Sequence, residues 1–291
     1  MTGGASPQAA RFTASDGVGL AYDDTHPQGH PDPAMVPVLC LSGLSRNARD
    51  FEYVLPHLGP GRVLRLDYRG RGRSDYADPG TYSVPTEARD ALELLDHLGL
   101  ERAAILGTSR GGLIAMFLAA TAPGRLAGVC LNDVGPQIAP KGIEDIRAYL
   151  GRNPAATDMD TLARERARIA GGFVGVPHAR WLNEVRHNYR EKAGRLVIDY
   201  DPRLREAVLP SLDRPVDLWP LFEAMAGLPL ALIRGANSDL LSPATAAEMR
   251  RRRPDMIFAE VPDRGHVPFM DEAESLAAIR QFKEAIGWTS T

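Results

Sequence analysis

Short runs of apolar residues alternate with longer stretches of helical spacing along most of the chain. The runs "VPVLCLSGLS", "RVLRLDYRGRGRSD", "RAAILG", "LAGVCLND", "PLALIRG" and "MIFAEV" are each rich in aliphatic residues, and all but the last break at Gly, Ser or Asp. They predict strands. Ahead of them, residues 10–25 read as two short strands about a turn at Asp16-Gly17. Residues 84–98 have helical spacing in Ala88, Ala91, Leu92, Leu95 and Leu98, with Ser83 as N-cap. Further helices are predicted at about 110–122, 243–253 and 271–286. All-apolar strands separated by helices predict a mostly parallel sheet covered on both faces.

The alternation stops at "VGPQIAPKG" and resumes at "PLALIRG". Between them the spacing is mainly helical: Leu162 and Ile169 mark one stripe, and Leu182, Val185 and Tyr189 another. The expected organisation is an α/β core of residues 1–136 and 213–291. Residues 137–212 form a helical cap inserted after the sixth strand. There is no internal repeat and no low-complexity tract.

The bulk numbers narrow the function classes. The 291 residues are 44% hydrophobic and 24% charged, with net charge −3. That is globular composition with no overall pull toward nucleic acid or an anionic membrane. No apolar stretch is long enough to span a bilayer, and "MTGGASPQAARF" lacks a signal core. Cys40 and Cys130 lie in apolar strands, as buried core thiols do, and a reducing cytoplasm is expected. "MRRRRPD" ends a helix, where basic residues suit the dipole. No aromatic interleaving accompanies it.

One corner carries chemistry. In "ILGTSRGGLIAM" an apolar strand turns into an apolar helix within a few residues, and Ser109 stands at the turn between Gly107 and Gly111. Such a turn strains the central residue and requires small neighbours. It also sets the serine at a helix N-terminus, where free N–H groups favour a developing anion. This G-x-S-x-G setting, with landmarks in matching order from about residue 11 to 286, resembles the α/β-hydrolase superfamily. The strand-following "DYRGRGRSD" is then similar to a structural loop of that family.

The resemblance implies the order Ser…Asp/Glu…His. His266, in "VPDRGHVPFMDE", occupies the position of the base. His26, His30, His57, His97, His178 and His187 lie in loops, surface helices or the insertion. Two aspartates are candidates for the acid. Asp239 follows the strand "PLALIRG" and is favoured, although it lies one residue further from its glycine than in a G-x-x-D pattern. Asp133 follows the strand "LAGVCLND" and is the alternative, since some members draw their acid from that strand end. The oxyanion donors implied are the backbone N–H groups of Leu44 and Arg110. Ser42 stands where relatives usually carry histidine. The Arg110 side chain is expected either to bind an anionic group of the substrate or to pair with an acid of the cap. Ser45 is a second substrate-binding candidate.

The implied activity is hydrolysis of a carboxylic ester or lactone through an acyl-enzyme, with a small-molecule substrate and no metal or organic cofactor. Amide or carbon–carbon bond hydrolysis, or a small-molecule receptor of the same fold, are the alternatives. A monomer or homodimer without nucleic-acid or membrane partners is expected. Phe173, Trp181, Tyr189 and Tyr200 are placed either on the pocket wall or in the core of the cap itself.

Overall fold

A computed structural model describes residues 7–30, 32, 34–213 and 216–288. Residues 1–6 of the N-terminal stretch lie outside it. Eight strands form one sheet: β1 (Gln8–Thr13), β2 (Gly19–Asp24), β3 (Val38–Leu41), β4 (Val63–Leu66), β5 (Ala103–Thr108), β6 (Leu126–Asn132), β9 (Leu230–Gly235) and β10 (Ile257–Val261). Their spatial order is β1-β2-β4-β3-β5-β6-β9-β10. The β1–β2 and β2–β4 pairs are antiparallel and the rest are parallel. The antiparallel start is the hairpin expected about Asp16-Gly17.

Period-two alternation explains why the central strands are apolar throughout. Leu39, Leu41 and Ile105 face one layer, with α2 (Val84–His97), α3 (Arg110–Thr121) and α8 (Trp219–Glu223) packed over it. Val38, Cys40, Ala104 and Leu106 face the other, covered by α1 (Leu55–Leu58) and α10 (Ala273–Ala285). Both faces of each strand are therefore out of water. Each fully buried leucine contributes about 1.5–3 kcal/mol. Cys40 and Cys130 are buried free thiols, and burial pushes both up to about 12. Ser83 caps α2 by accepting from the Thr86 N–H, and α9 (Pro243–Arg252) completes the layer between β9 and β10.

The segment between β6 and β9 holds α4 (Pro140–Tyr149), α5 (Met159–Ile169), α6 (His178–Asn188) and α7 (Leu204–Ser211). It also holds a feature that helical periodicity did not predict, an antiparallel hairpin of β7 (Tyr189–Lys192) and β8 (Arg195–Ile198). Tyr189 thus begins a strand rather than ending a helical stripe. Leu162, Ala163, Trp181, Val185 and Leu196 form a small core of their own here. The segment is fastened to the rest by an apolar cluster, in which Tyr82 packs with Leu150, Tyr200 and Leu204, and by polar groups. Arg46 bonds both Asp50 and Glu184, Arg49 bonds Asp199, and Arg180 pairs with Asp271.

The loop "DYRGRGRSD" is an internal brace. Asp67 accepts from the Ala48 and Arg73 N–H groups. Arg69 pairs with Asp90 and Arg71 with Glu87, and all four side chains have no solvent exposure. Buried charges of this kind persist only when paired. In "MRRRRPD", Arg251 and Arg252 pair with Glu248, and Arg253 pairs with Asp255.

Candidate active site

The C-terminal ends of β5, β6, β9 and β10 lie side by side, so the loops that follow them meet at one edge of the sheet. Open α/β sheets bind ligands at such an edge. Ser109 follows β5, Asp133 follows β6, Ser238 and Asp239 follow β9, and His266 follows β10.

Ser109 has φ 50° and ψ −109°, the strained, positive-φ conformation anticipated for the corner. Both flanking glycines are demanded by close approach. A Cβ on Gly111 would stand 1.9 Å from the Leu41 carbonyl oxygen, and one on Gly107 would stand 2.7 Å from the Gly111 backbone. The Ser109 N–H donates to the Asn132 carbonyl at 3.0 Å, which ties the corner to the neighbouring strand.

Three side chains form a continuous chain of hydrogen bonds. Ser109 Oγ lies 3.0 Å from His266 Nε2, and His266 Nδ1 lies 2.7 Å from Asp133 Oδ2. Asp133 is completely buried, with φ 56°. Its carboxylate also accepts from the Gly235 N–H at 2.9 Å and from Ser238 Oγ at 2.6 Å. Three donors compensate a carboxylate that burial alone would disfavour. Asn132 steadies the same region by donating to the Pro268 carbonyl, two residues beyond His266.

The acid expected from the sequence was Asp239, but the carboxylate joined to His266 is that of Asp133. The reason is the longer loop after β9. The fourth position counted from Gly235 is Ser238, and its hydroxyl points at Asp133 while accepting from the Leu241 N–H. Asp239 comes one residue later and is half-buried beside Asp145. Burial, opposed by the charge of His266, raises its pKa. Its carbonyl accepts from Gly142 of α4.

Arg110 also departs from expectation. Its guanidinium bonds Glu87 Oε2 at 2.5 Å and the Tyr82 carbonyl at 3.2 Å. Glu87 belongs to α2, so the side chain braces the core and engages neither the inserted segment nor open solvent. Among the described residues, the backbone N–H groups of Leu44 and Arg110 have no hydrogen-bond partner. Leu44 is partly buried against Tyr82, Leu150 and Tyr200, and Ser45 follows it at partial exposure. The structural roles of Glu87, Arg71 and Ser238 were not visible in the sequence, because each acts through a residue distant along the chain.

Of the four aromatics, Trp181 is buried and stacks edge-on to Phe173, with ring centroids 5.4 Å apart. Both rings also meet Phe269, in the His266 loop. Tyr200 is buried, with its hydroxyl accepting from Gly151. Tyr189 is partly exposed. Among the described residues, no group of three or more His, Cys, Asp or Glu side chains is arranged to hold a metal ion. No helix there is long and apolar enough to cross a membrane.

Comparison with known proteins agrees with this architecture. Residues 38–279 match the model of the alpha/beta hydrolase family. A 3-hydroxybutyrate-oligomer hydrolase from Cupriavidus necator is 35% identical, over 96% of this chain and 98% of that protein. A rhodomycin D methylesterase from Streptomyces peucetius is 28% identical over 86% and 91%. A crystal structure of an alpha/beta hydrolase from Novosphingobium aromaticivorans superposes with a TM-score of 0.88 at 40% identity, covering 97% of this chain and all of that one.

Proposed function

The chain belongs to the alpha/beta hydrolase family and is a hydrolase; from that premise we propose that it cleaves carboxylic esters through an acyl-enzyme on Ser109, with short hydroxyacid oligomers as its substrates. The observation that carries the reading is the unbroken chain Asp133–His266–Ser109, with separations of 2.7 and 3.0 Å. A serine hydroxyl near neutral pH needs a base, and the base needs an orienting acid.

In the proposed reaction His266 Nε2 takes the proton from Ser109 Oγ as the oxygen attacks the ester carbonyl. Asp133 holds the ring with Nδ1–H directed at its carboxylate and stabilises the imidazolium. The tetrahedral oxyanion is received by the Leu44 and Arg110 N–H groups, at the N-terminus of α3 where the helix dipole adds favourable potential. His266 then protonates the leaving alcohol. Water, deprotonated by the same nitrogen, releases the acid and restores Ser109. Every step uses groups of the chain itself. Residues 137–212 act as a cap over this edge, on a core built by the described residues before and after them.

The substrate class is supported by the relative from Cupriavidus necator, which matches along nearly the whole of both chains. The test is intact mass after treatment with a small fluorophosphonate, for wild type and Ser109→Ala, beside hydrolysis of the 3-hydroxybutyrate dimer. One adduct on wild type alone, with release of monomer, is the expected result. No adduct on folded wild type overturns the serine mechanism. An adduct without dimer hydrolysis overturns the substrate class.

A further inference from the structure

His266 hangs from the loop between β10 and α10, and the two flanks of that loop are held differently. On the near side the Asn237 N–H donates to the Arg264 carbonyl at 2.9 Å. Gly235 lies so close beneath that a Cβ there would stand 2.6 Å from the Arg264 and Gly265 carbonyl oxygens. Gly235 and Ser238 also donate to Asp133, so this flank is fixed against the orienting carboxylate. On the far side Pro268 accepts from Asn132 at 3.2 Å, and the Phe269 ring packs among Tyr53, Phe173 and Trp181.

Among the described residues, one side chain is bonded to both flanks. Glu272 Oε1 accepts from Arg264 Nε at 2.9 Å and from the Phe269 N–H at 3.0 Å. Its other oxygen accepts from Ser275 Oγ at 2.9 Å. The Glu272 side chain is only 9% exposed, and the Arg264 guanidinium lies 5.6 Å from the centre of the Phe269 ring. Carboxylate, guanidinium and ring thus close a circuit around the residue they enclose. Glu272 stands at the N-cap position of α10, where a side chain ordinarily accepts from the first turn of its own helix. It makes no such cap bond. Its charge-assisted bonds go to the His266 loop instead.

We propose that Glu272 is a positioning residue for the hydrolysis, which fixes the backbone on either side of His266 and so keeps Nε2 in place against Ser109 Oγ. The proposal rests on the ester-hydrolase reading above and deepens it. Asp133 orients the imidazole at Nδ1, but the ring also needs a backbone that does not drift. A displacement of about 1 Å is enough to cost a proton transfer much of its rate. The oxygen that receives both Arg264 and Phe269 is a single atom, so the role depends on where that acceptor stands and not on charge alone.

The test compares wild type with Glu272→Ala, Glu272→Asp and Glu272→Gln. The readouts are kcat and KM on p-nitrophenyl butyrate, the rate of Ser109 labelling by a small fluorophosphonate, and Tm. The expected result is a fall of at least about tenfold in kcat and in labelling rate for the Ala and Asp variants, with KM little changed. Glu272→Gln keeps most of both rates, because its amide oxygen can still accept from Arg264 and Phe269. A lowered Tm with both rates unchanged below the unfolding transition makes the residue a purely structural one and overturns the proposal. Glu272→Gln as impaired as Glu272→Ala also overturns it. Should Glu272→Ala not fold, the Asp and Gln variants decide by the same two rates. Labelled, active wild type with unaffected variants removes the positioning role and leaves the ester-hydrolase reading standing. Folded wild type that takes no label removes that reading and the positioning role with it.

Discussion

Glu87 Oε2 accepts a 2.5 Å hydrogen bond from Arg110 Nε, and the Glu87 side chain has no exposure to solvent. Its other oxygen lies 2.8 Å from Arg71 Nη1, and Arg71 Nε donates to the Leu44 carbonyl at 3.0 Å. One carboxylate on α2 thus ties together the two segments that carry the proposed oxyanion donors, although they lie far apart in the chain. Preorganised donors act because they need not move as charge develops.

Arg110→Met, which leaves the Glu87–Arg71 pair in place, is expected to lower kcat by about 10- to 100-fold. Outright loss of an oxyanion donor costs about 10²–10³, and here the N–H is loosened rather than removed. Neutral and anionic esters should lose rate alike, with KM little changed. Steady-state kinetics on a matched ester pair checks this. A loss confined to anionic esters would return the side chain to substrate binding.

The two aspartates should separate cleanly. Asp133→Asn should reduce kcat by about 10³–10⁴, as expected when the orienting acid of a Ser–His pair is neutralised. Asp239→Asn should reduce it by less than about tenfold, because its carboxylate is not bonded to His266. Ser238→Ala should fall between them, with partial recovery in Ser238→Thr, whose hydroxyl can still reach Asp133. Equal losses at Asp133 and Asp239 would contradict the assignment.

Gly111→Ala should destabilise the fold by more than about 3 kcal/mol, beyond ordinary overpacking, because its Cβ would meet backbone rather than a movable side chain. Gly124→Ala is the control, since a Cβ there meets nothing within 4 Å. Thermal unfolding should show a Tm lower by at least roughly 5 °C for the first and near wild type for the second.

Asp50 links stability to pH. Burial raises its pKa to about 6, against the attraction of Arg46 and with added repulsion from Glu184. The folded state then holds a proton that the unfolded chain releases near pH 4. The resulting stabilisation is fully present below that value and is lost as pH rises through about 6, at about 1.4 kcal/mol for each pH step between the two values. Denaturant unfolding between pH 4 and 7 should show this fall in wild type. The fall should be smaller in Asp50→Asn, which cannot titrate, and an equal slope in both would refute the linkage.

The alternation of apolar strands and helical spacing was enough to read the sheet, its two covered faces and the hairpin at its start, because burial on both sides demands those residues. Ser109 was equally legible: a sharp strand-to-helix turn needs glycines within two residues, and all the strain is local. His266 followed from the order of the landmarks. The carboxylate bonded to it did not, because Asp133 and Asp239 both follow strands that end at the same edge, and one extra residue after Gly235 decides which carboxylate reaches the imidazole. The partner of Arg110 was also hidden, since Glu87 lies 23 residues earlier on a helix whose inward face can be told only once it is packed. Local strain and periodicity are written in neighbouring residues. The choice among distant charged partners is made by tertiary packing alone, because it depends on which side chains the folded sheet and helices bring within hydrogen-bond distance.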